Sequence, residues 1–476
     1  MNTLSLANQQ LNTLANRLVR PFFALALVAM VMIALLSDAV YDAGDGITYF
    51  EISRWSWKHP ELFLHNSGNP FFTLLSSPFA QFGYKGIVIF NVLCHVLTAW
   101  VTWRIADRMK LPFAYLTGPL VIIAPISWAV AQSGLTEPLF ALTLMSGIYF
   151  LTGGRNITAA LLISMLPLAR IEGFFLAPLF GLFFLIRREY LAMSLLASGS
   201  LLYSILGAIF VHHDFLWLVH NNPYAGVVNY GSGPLTHFAD EREFIFGRAL
   251  SLLSVLGLIS VFFRNKISPP HSLAEMLLVY GSLLVFFVMH SLFWWKGLFG
   301  SQGLIRVMVC VIPCSVLIGI RGLQFLTRPY ATIIPAVGLT LCTVLGFTVL
   351  DTFSQHDVLA QPDEQLISAR QVVEEIRAKK LDSHFIYSGH PLIPYLLEID
   401  KFDSTRTVEM LGIGEYPALR EHSIVVWHSV FGPMQYNTTE EQLAGKPTLT
   451  EVIRVAPVIS KDNPHYNHTW IVYESK

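Results

Sequence analysis

Ser37-Asp-Ala-Val-Tyr-Asp-Ala-Gly-Asp-Gly-Ile-Thr-Tyr-Phe-Glu51 follows directly on the first long apolar run of the chain, Pro21 to Leu36. A membrane span that delivers carboxylates to the water interface is unusual, because ionisable groups at membrane depth are costly and default to a functional reading. Asp42 and Asp45 are therefore the first candidate catalytic residues. Gly44 and Gly46 let the backbone turn around Asp45 and leave room for a bulky substrate. A carboxylate here serves as a general base for an acceptor hydroxyl, or binds a metal that does so. The competing reading is an Asp-rich turn that caps a helix starting near Ile47.

Composition supports a membrane protein. Hydrophobic residues make up 53% of the 476, charged residues 13%, and the mean hydropathy is +0.53. Soluble chains carry about 25% charged residues. Thirty-four Phe and ten Trp suit spans with aromatic interface belts. A net charge of -1 argues against nucleic acid, which would want a basic face. Cys94, Cys310, Cys314 and Cys342 lie inside apolar runs and read as small buried hydrophobes. Arg17 and Arg20 precede the first run without a small-residue cleavage site after it, so it reads as a retained span.

Basic residues flank cytoplasmic ends of spans, and a span needs about 20 apolar residues. With Arg17 and Arg20 inside, the first span exits near Asp38. The stretch 70–83 is short and broken by prolines, and reads as lying along the outer interface. Further spans are expected at 86–103, 112–130, 138–152, 156–169, 173–186, 192–211, 247–263, 273–293, 303–320 and 331–350, about eleven crossings in all. Arg104, Arg108, Lys110, Arg155, Arg187, Arg188, Arg264, Lys266, Arg321 and Arg328 then fall inside. The acidic first loop, Glu137, Glu172, the loop 212–246 and the tail fall outside. The expected organisation is a transmembrane domain, 1–350, with catalytic outer loops at 37–84 and 212–246, and a non-cytoplasmic α/β domain, 351–476. Within the tail, 363–380 reads as an amphipathic helix, His384–Tyr387 and Ser423–Trp427 as buried strands, and 391–398 as a helix. The tail has neither GxGxxG nor GxxxxGK[ST], which points to a recognition or structural cap.

Four further places carry chemistry. Glu137 sits in Ser133-Gly-Leu-Thr-Glu-Pro-Leu-Phe140 at an outer helix start, where the helix dipole also favours an acid. Arg170 and Glu172 stand at the outer tip of an apolar hairpin, as a mutual ion pair or as a guanidinium offered to a lipid phosphate. Arg306 lies about one turn into an apolar span, as an anion site or a snorkelling side chain. Lys296, between Trp295 and Gly297, reads as an interfacial anchor that could add to a phosphate site. His212, His213 and Asp214 lack metal-ligand spacing. Tyr224, Tyr230 and His237 could line an acceptor groove.

These motifs resemble the GT-C superfamily of membrane glycosyltransferases, which use polyprenyl- or dolichyl-phosphate sugars on the non-cytoplasmic face, as the mannosyltransferases do. The resemblance covers about residues 20–350. It rests on the acids after the first span (Asp42, Asp45), Thr136-Glu-Pro-Leu-Phe140, Arg170-Ile-Glu-Gly173, and an arginine before a proline in a late span (Arg306, Pro313). It implies an α-helical polytopic membrane protein with a small C-terminal α/β soluble domain, set in a bacterial cytoplasmic (inner) membrane with its site outside. Asp45 is the implied catalytic carboxylate, with Asp42 second. Glu137, Arg170, Glu172, Lys296 and Arg306 are the implied substrate-binding residues, Arg306 taking the donor phosphate. The chain lacks the paired Asp-Glu of protein mannosyltransferases and the His-Pro-Asp-Glu of GPI mannosyltransferases. The donor sugar, and a glycan, lipid or protein as acceptor, stay open, and so does a divalent metal. The alternatives are a transporter or flippase of a lipid-linked glycan, which would place polar groups at mid-membrane, and a membrane acyltransferase using His95 or His290.

Overall fold

The computed structural model describes residues 3–38, 40–220, 230–266, 270–327, 364–409, 419–459 and 467–475. Up to residue 327 the described chain is almost entirely apolar helix. Five helices are long and apolar enough to cross a bilayer: Arg17–Leu36, Tyr84–Arg108, Tyr190–His212, Glu275–Lys296 and Ile305–Thr327. Each sits where the hydropathy places a crossing. Shorter apolar helices, Glu137–Thr152, Asn156–Ala169, Gly173–Arg187 and Arg248–Phe263, occupy four more of the expected positions. The chain is a multi-pass membrane protein. The expected span 331–350 lies outside the described residues, as do Cys342 and Arg328.

Two expectations need correction. The stretch 112–130 is not one rod but two helices, Ala114–Ile122 and Pro125–Ala131, bent by 58°. Pro125 opens the second helix, where its missing N–H costs nothing, and it holds Ala124 extended at φ -61°, ψ 125°. Arg321 is not a basic flank reaching for water. It is 1% exposed and forks onto Glu275, with Nε 2.6 Å from Oε1 and Nη2 2.7 Å from Oε2. A guanidinium enclosed by packed helices needs a carboxylate partner.

The helix Pro70–Ala80, eleven residues long, does not have the length to cross. It lies against the helix Asp45–Trp55, tied by Ser53 Oγ to Ser76 Oγ at 2.8 Å. The acids that end the first span are thus the start of a helix braced on both sides.

The tail folds as a five-stranded sheet, β1 (Phe385–Ser388), β2 (Thr407–Glu409), β3 (Ser423–His428), β4 (Leu449–Ile459) and β5 (Asn467–Ser475), in the order β2-β1-β3-β5-β4. The first three strands are parallel, while β5 and β4 return antiparallel. The amphipathic helix Glu364–Ala378 covers one face, with Trp470 Nε1 donating to Ser368 Oγ at 2.9 Å. Its apolar side, Leu366, Val372, Val373 and Ile376, joins Ile424, Val426 and Val472 of the sheet in a cluster that runs on into Ile47, Phe50 and Ile87 of the membrane part. Lys58 Nζ and His59 Nε2 both meet Asp400 Oδ2, at 2.8 and 2.9 Å. The soluble domain is seated on the Asp45 helix by a shared core and a rim of charge.

Candidate active site

The acidic loop is shaped by Asp42. It adopts φ +55°, a left-handed conformation that Asp tolerates better than most residues. Its carbonyl accepts the amide of Gly46 at 3.0 Å, and its Oδ1 accepts the amide of Asp45 at 3.2 Å. The capping role therefore falls to Asp42, and the helix starts at Asp45, earlier than Ile47. The two glycines are also reassigned. Gly44 has an ordinary φ of -71°, and a Cβ there would meet Phe431 Cζ at 3.2 Å. At Gly46 a Cβ would meet the Tyr84 hydroxyl at 3.2 Å. At both positions the protein's own packing leaves little room for a side chain.

Asp45, at the first position of its helix, is half exposed, at 51%. Its Oδ2 pairs with Arg306 Nη2. The same guanidinium places Nε 3.0 Å from Asp42 Oδ2 and Nη1 3.1 Å from Glu137 Oε1. All three nitrogens of Arg306 thus face carboxylates. Glu137 opens the helix Glu137–Thr152 and is fully buried. Its Oε1 is shared with Arg170 Nη1 at 2.8 Å, and Arg170 Nη2 reaches Glu172 Oε1 at 2.7 Å. His290 Nε2 closes the series 3.9 Å from the same Glu172 oxygen. Alternating charge makes this burial tolerable, since each ion is matched by at least one opposite neighbour. Burial lifts the Asp42 carboxyl above its ordinary value, against the pull of Arg306.

Six of the seven residues singled out in the sequence, Asp42, Asp45, Glu137, Arg170, Glu172 and Arg306, meet in this one network. Lys296 does not. It is exposed at the end of its helix, with Nζ 3.6 Å from the centre of the Trp295 ring. Arg170 adopts the ion-pair arrangement, and Arg306 is turned inward, 4% exposed, not snorkelling. His212 stacks on Trp217, His220 pairs with Asp214, and His237 Nε2 lies 2.7 Å from the Gly303 carbonyl oxygen. Tyr224 lies outside the described residues. His95, buried on the Ile122 carbonyl at 3.5 Å, is not part of the network. Among the described residues no three His, Cys, Asp or Glu side chains converge as metal ligands do. The carboxylates as placed converge on guanidinium groups and do not fit a metal cage.

No family model matches the sequence, and no curated protein matches it by sequence. Solved structures do match. ArnT from Cupriavidus metallidurans bound to undecaprenyl phosphate superposes with a TM-score of 0.62 at 13% identity, over 95% of this chain and 97% of that one. Apo ArnT from the same organism gives 0.61 at 14%, with the same coverage. The chain has the fold of these ArnT structures. That fold accounts for the helical membrane part and for the soluble domain mounted on it.

Several residues around the acids were not singled out by the sequence. Asn91 Nδ2 donates to the carbonyls of Ser133 and Leu135, both at 2.7 Å, and so fixes the turn that presents Glu137. A buried amide in the middle of an apolar span was the available signal. Tyr49, one turn beyond Asp45, feels the charges of Asp45, Arg170, Arg306 and Glu137, and its burial keeps the phenol protonated. Tyr230 bonds Gln435 of the soluble domain and feels Asp45. No local pattern marks these contacts, which bring distant segments of the chain together.

Proposed function

We propose that this chain is a membrane glycosyltransferase that takes a sugar from a polyprenyl-phosphate donor and places it on an acceptor hydroxyl outside the cytoplasm. The observation that carries the reading is the meeting of Asp42, Asp45, Glu137, Arg170, Glu172 and Arg306, from four separate segments, at the half-exposed Asp45. The GT-C fold adds support, because ArnT, which shares it, binds undecaprenyl phosphate.

Asp45 is the base. Its Oδ2 is held by Arg306, which leaves Oδ1 for the acceptor. The acceptor oxygen attacks the anomeric carbon of the donor as the carbon–oxygen bond to phosphate breaks, and the acceptor proton passes to Asp45. One displacement of this kind inverts the anomeric centre. The lipid phosphate leaves with an added negative charge, which a cation stabilises. Arg306 is that cation. In the present arrangement its Nη2 is taken by Asp45, so an arriving phosphate competes for this nitrogen and frees the base as the donor seats. Glu137 and Asp42 hold the rest of the guanidinium in place during the exchange.

The test is sugar transfer from radiolabelled polyprenyl-phosphate sugars in membranes containing wild type or Asp45→Asn. Transfer by wild type and its loss in a folded Asp45→Asn supports the reading. Equal transfer by both removes Asp45 as base and moves the search to Glu137 and Glu172.

A further inference from the structure

A short helix of the soluble domain, Phe431–Tyr436, stands against the acidic loop. Its first turn hangs from His428, the last residue of β3 and 2% exposed. His428 Nδ1 accepts the amides of Val430 and Phe431, at 3.4 and 3.3 Å. An imidazole nitrogen that accepts carries no proton, so His428 is neutral with its hydrogen on Nε2. That nitrogen lies 3.3 Å from His468 Nδ1, donor to acceptor. His390 completes the group, with Nδ1 accepting the Leu392 amide at 3.2 Å. Its ring centre lies 4.3 Å from that of Phe431 and 5.0 Å from that of His428. Trp470 backs both His390 and His428, at 5.0 and 4.4 Å.

On the far side, Phe431 presses on the catalytic loop. A Cβ at Gly44 would stand 3.2 Å from its Cζ and 3.7 Å from Asp42 Oδ1. That loop holds Asp42 at φ +55°, a conformation that persists when the surroundings over-determine it. Arg306 holds the Asp42 carboxylate from the membrane side. Phe431 is the matching contact from the soluble side.

We propose that Phe431 is a positioning residue, pinned by neutral His428 and in turn pinning the Asp42–Gly44 turn so that Asp45 is presented to the acceptor. The chemistry rests on the glycosyltransferase reading, but the clamp itself does not. Acid should release it. Protonated at Nδ1, His428 loses its acceptor for two amides and gains a charge among His390, His468 and Trp470. Lys401 adds repulsion at His390, and among the described residues no carboxylate acts on the three rings. Across the contact stand Asp42, Asp45 and Arg306, already paired. Burial holds all three imidazoles below their ordinary value, His390 down to about 3. The closed clamp therefore stays neutral, while an opened one takes up protons. Closure is complete above the ordinary histidine value of about 6.5, and opening grows on the order of tenfold per pH unit below it for each histidine that becomes solvated.

Hydrogen exchange on the full chain in nanodiscs tests this. At pH 7.5, Phe431→Ala and His428→Leu should speed exchange of amides 42–48 about tenfold or more, with Glu364–Ala378 unchanged. His428→Asn, whose Oδ1 can accept the same amides, should resemble wild type. Acidification to pH 5, corrected for intrinsic rates, should open the loop of wild type more than that of His428→Asn. Where Phe431→Ala loosens the whole domain, Phe431→Leu decides, since it keeps apolar bulk but loses the reach to Gly44. Unchanged protection at 42–48 in folded Phe431→Leu overturns the proposal, as does His428→Asn behaving like His428→Leu. In the transfer assay Phe431→Leu should lower kcat about tenfold and leave KM for the lipid donor unchanged. A wild type that transfers no sugar counts against the enzymatic reading alone, because exchange reports on the clamp without it.

Discussion

Arg306 Nη1 stands 3.1 Å from Glu137 Oε1, and the two side chains are 4% and 0% exposed. The same carboxylate oxygen also receives Arg170. One buried anion therefore keeps two guanidinium groups together that would otherwise repel at close range.

Glu137→Gln keeps the shape and removes that charge. The two arginines are then left with Asp42, Asp45 and Glu172 at their outer ends and no anion between them. Breaking a buried pair costs about 3–5 kcal/mol, so the variant should denature at a clearly lower temperature in detergent. Size-exclusion after a heat series measures this. Unchanged thermal stability would mean that Glu137 is not the charge holding the arginines together.

Asp45→Asn and Asp42→Asn should separate two jobs on one loop. The amide at 45 cannot take a proton, and general-base losses run about 10²–10⁴-fold. The amide at 42 still offers an oxygen to the Asp45 amide, so the turn survives, and only one of three contacts on Arg306 weakens. Transfer should fall far more for Asp45→Asn than for Asp42→Asn. Equal losses would point to a shared function of the two carboxylates.

The sequence named the six side chains of the network, yet it could not say who pairs with whom. Asp45 and Arg306 are separated by 261 positions, and hydropathy records only that each stands near a span end. The residue type was the signal: a charge in an apolar run needs a partner or a task. Arg321 shows the limit of that rule, since its partner Glu275 was hidden at the start of another apolar run. The bend near Ala124 has its sequence signal in Pro119 and Pro125. In the tail, the helix Glu364–Ala378 and strands β1 and β3 fall close to their expected places, whereas β4 and β5 have no counterpart among the expected strands. The contact of Phe431 on Gly44 depends on how the soluble domain docks, which no local periodicity encodes.

Topology is testable without activity. The charge rule predicts that the loop 37–69 and the tail lie on the same, non-cytoplasmic side. Reporter fusions at Gly68 and after Lys476 should both give an external signal. The docking of Asp400 on Lys58 and His59 already requires loop and tail to share a face. An internal signal from both would reverse the orientation and place the acids in the cytoplasm.

Glu51 offers a stability test with a definite sign. It is 1% exposed on the Asp45 helix, where Oε2 accepts Trp55 Nε1 at 2.7 Å and Oε1 has no hydrogen-bond partner among the described residues. Burial pushes its carboxyl up to about 7, opposed by the Trp55 hydrogen bond and by Arg54. The folded state therefore holds a proton that the unfolded chain releases near the ordinary value of about 4.3. Between these values the folded state binds more protons, so the contribution of Glu51 is full below the unfolded value and is lost as pH rises through about 7. Glu51→Gln keeps an oxygen for Trp55 and carries no charge at any pH. It should leave stability unchanged near pH 4 and raise it at pH 8, by on the order of 3 kcal/mol for a shift of this size. Thermal denaturation of both proteins across that range measures the difference. A constant gap between them, or none, would mean that Glu51 stays ionised in the fold.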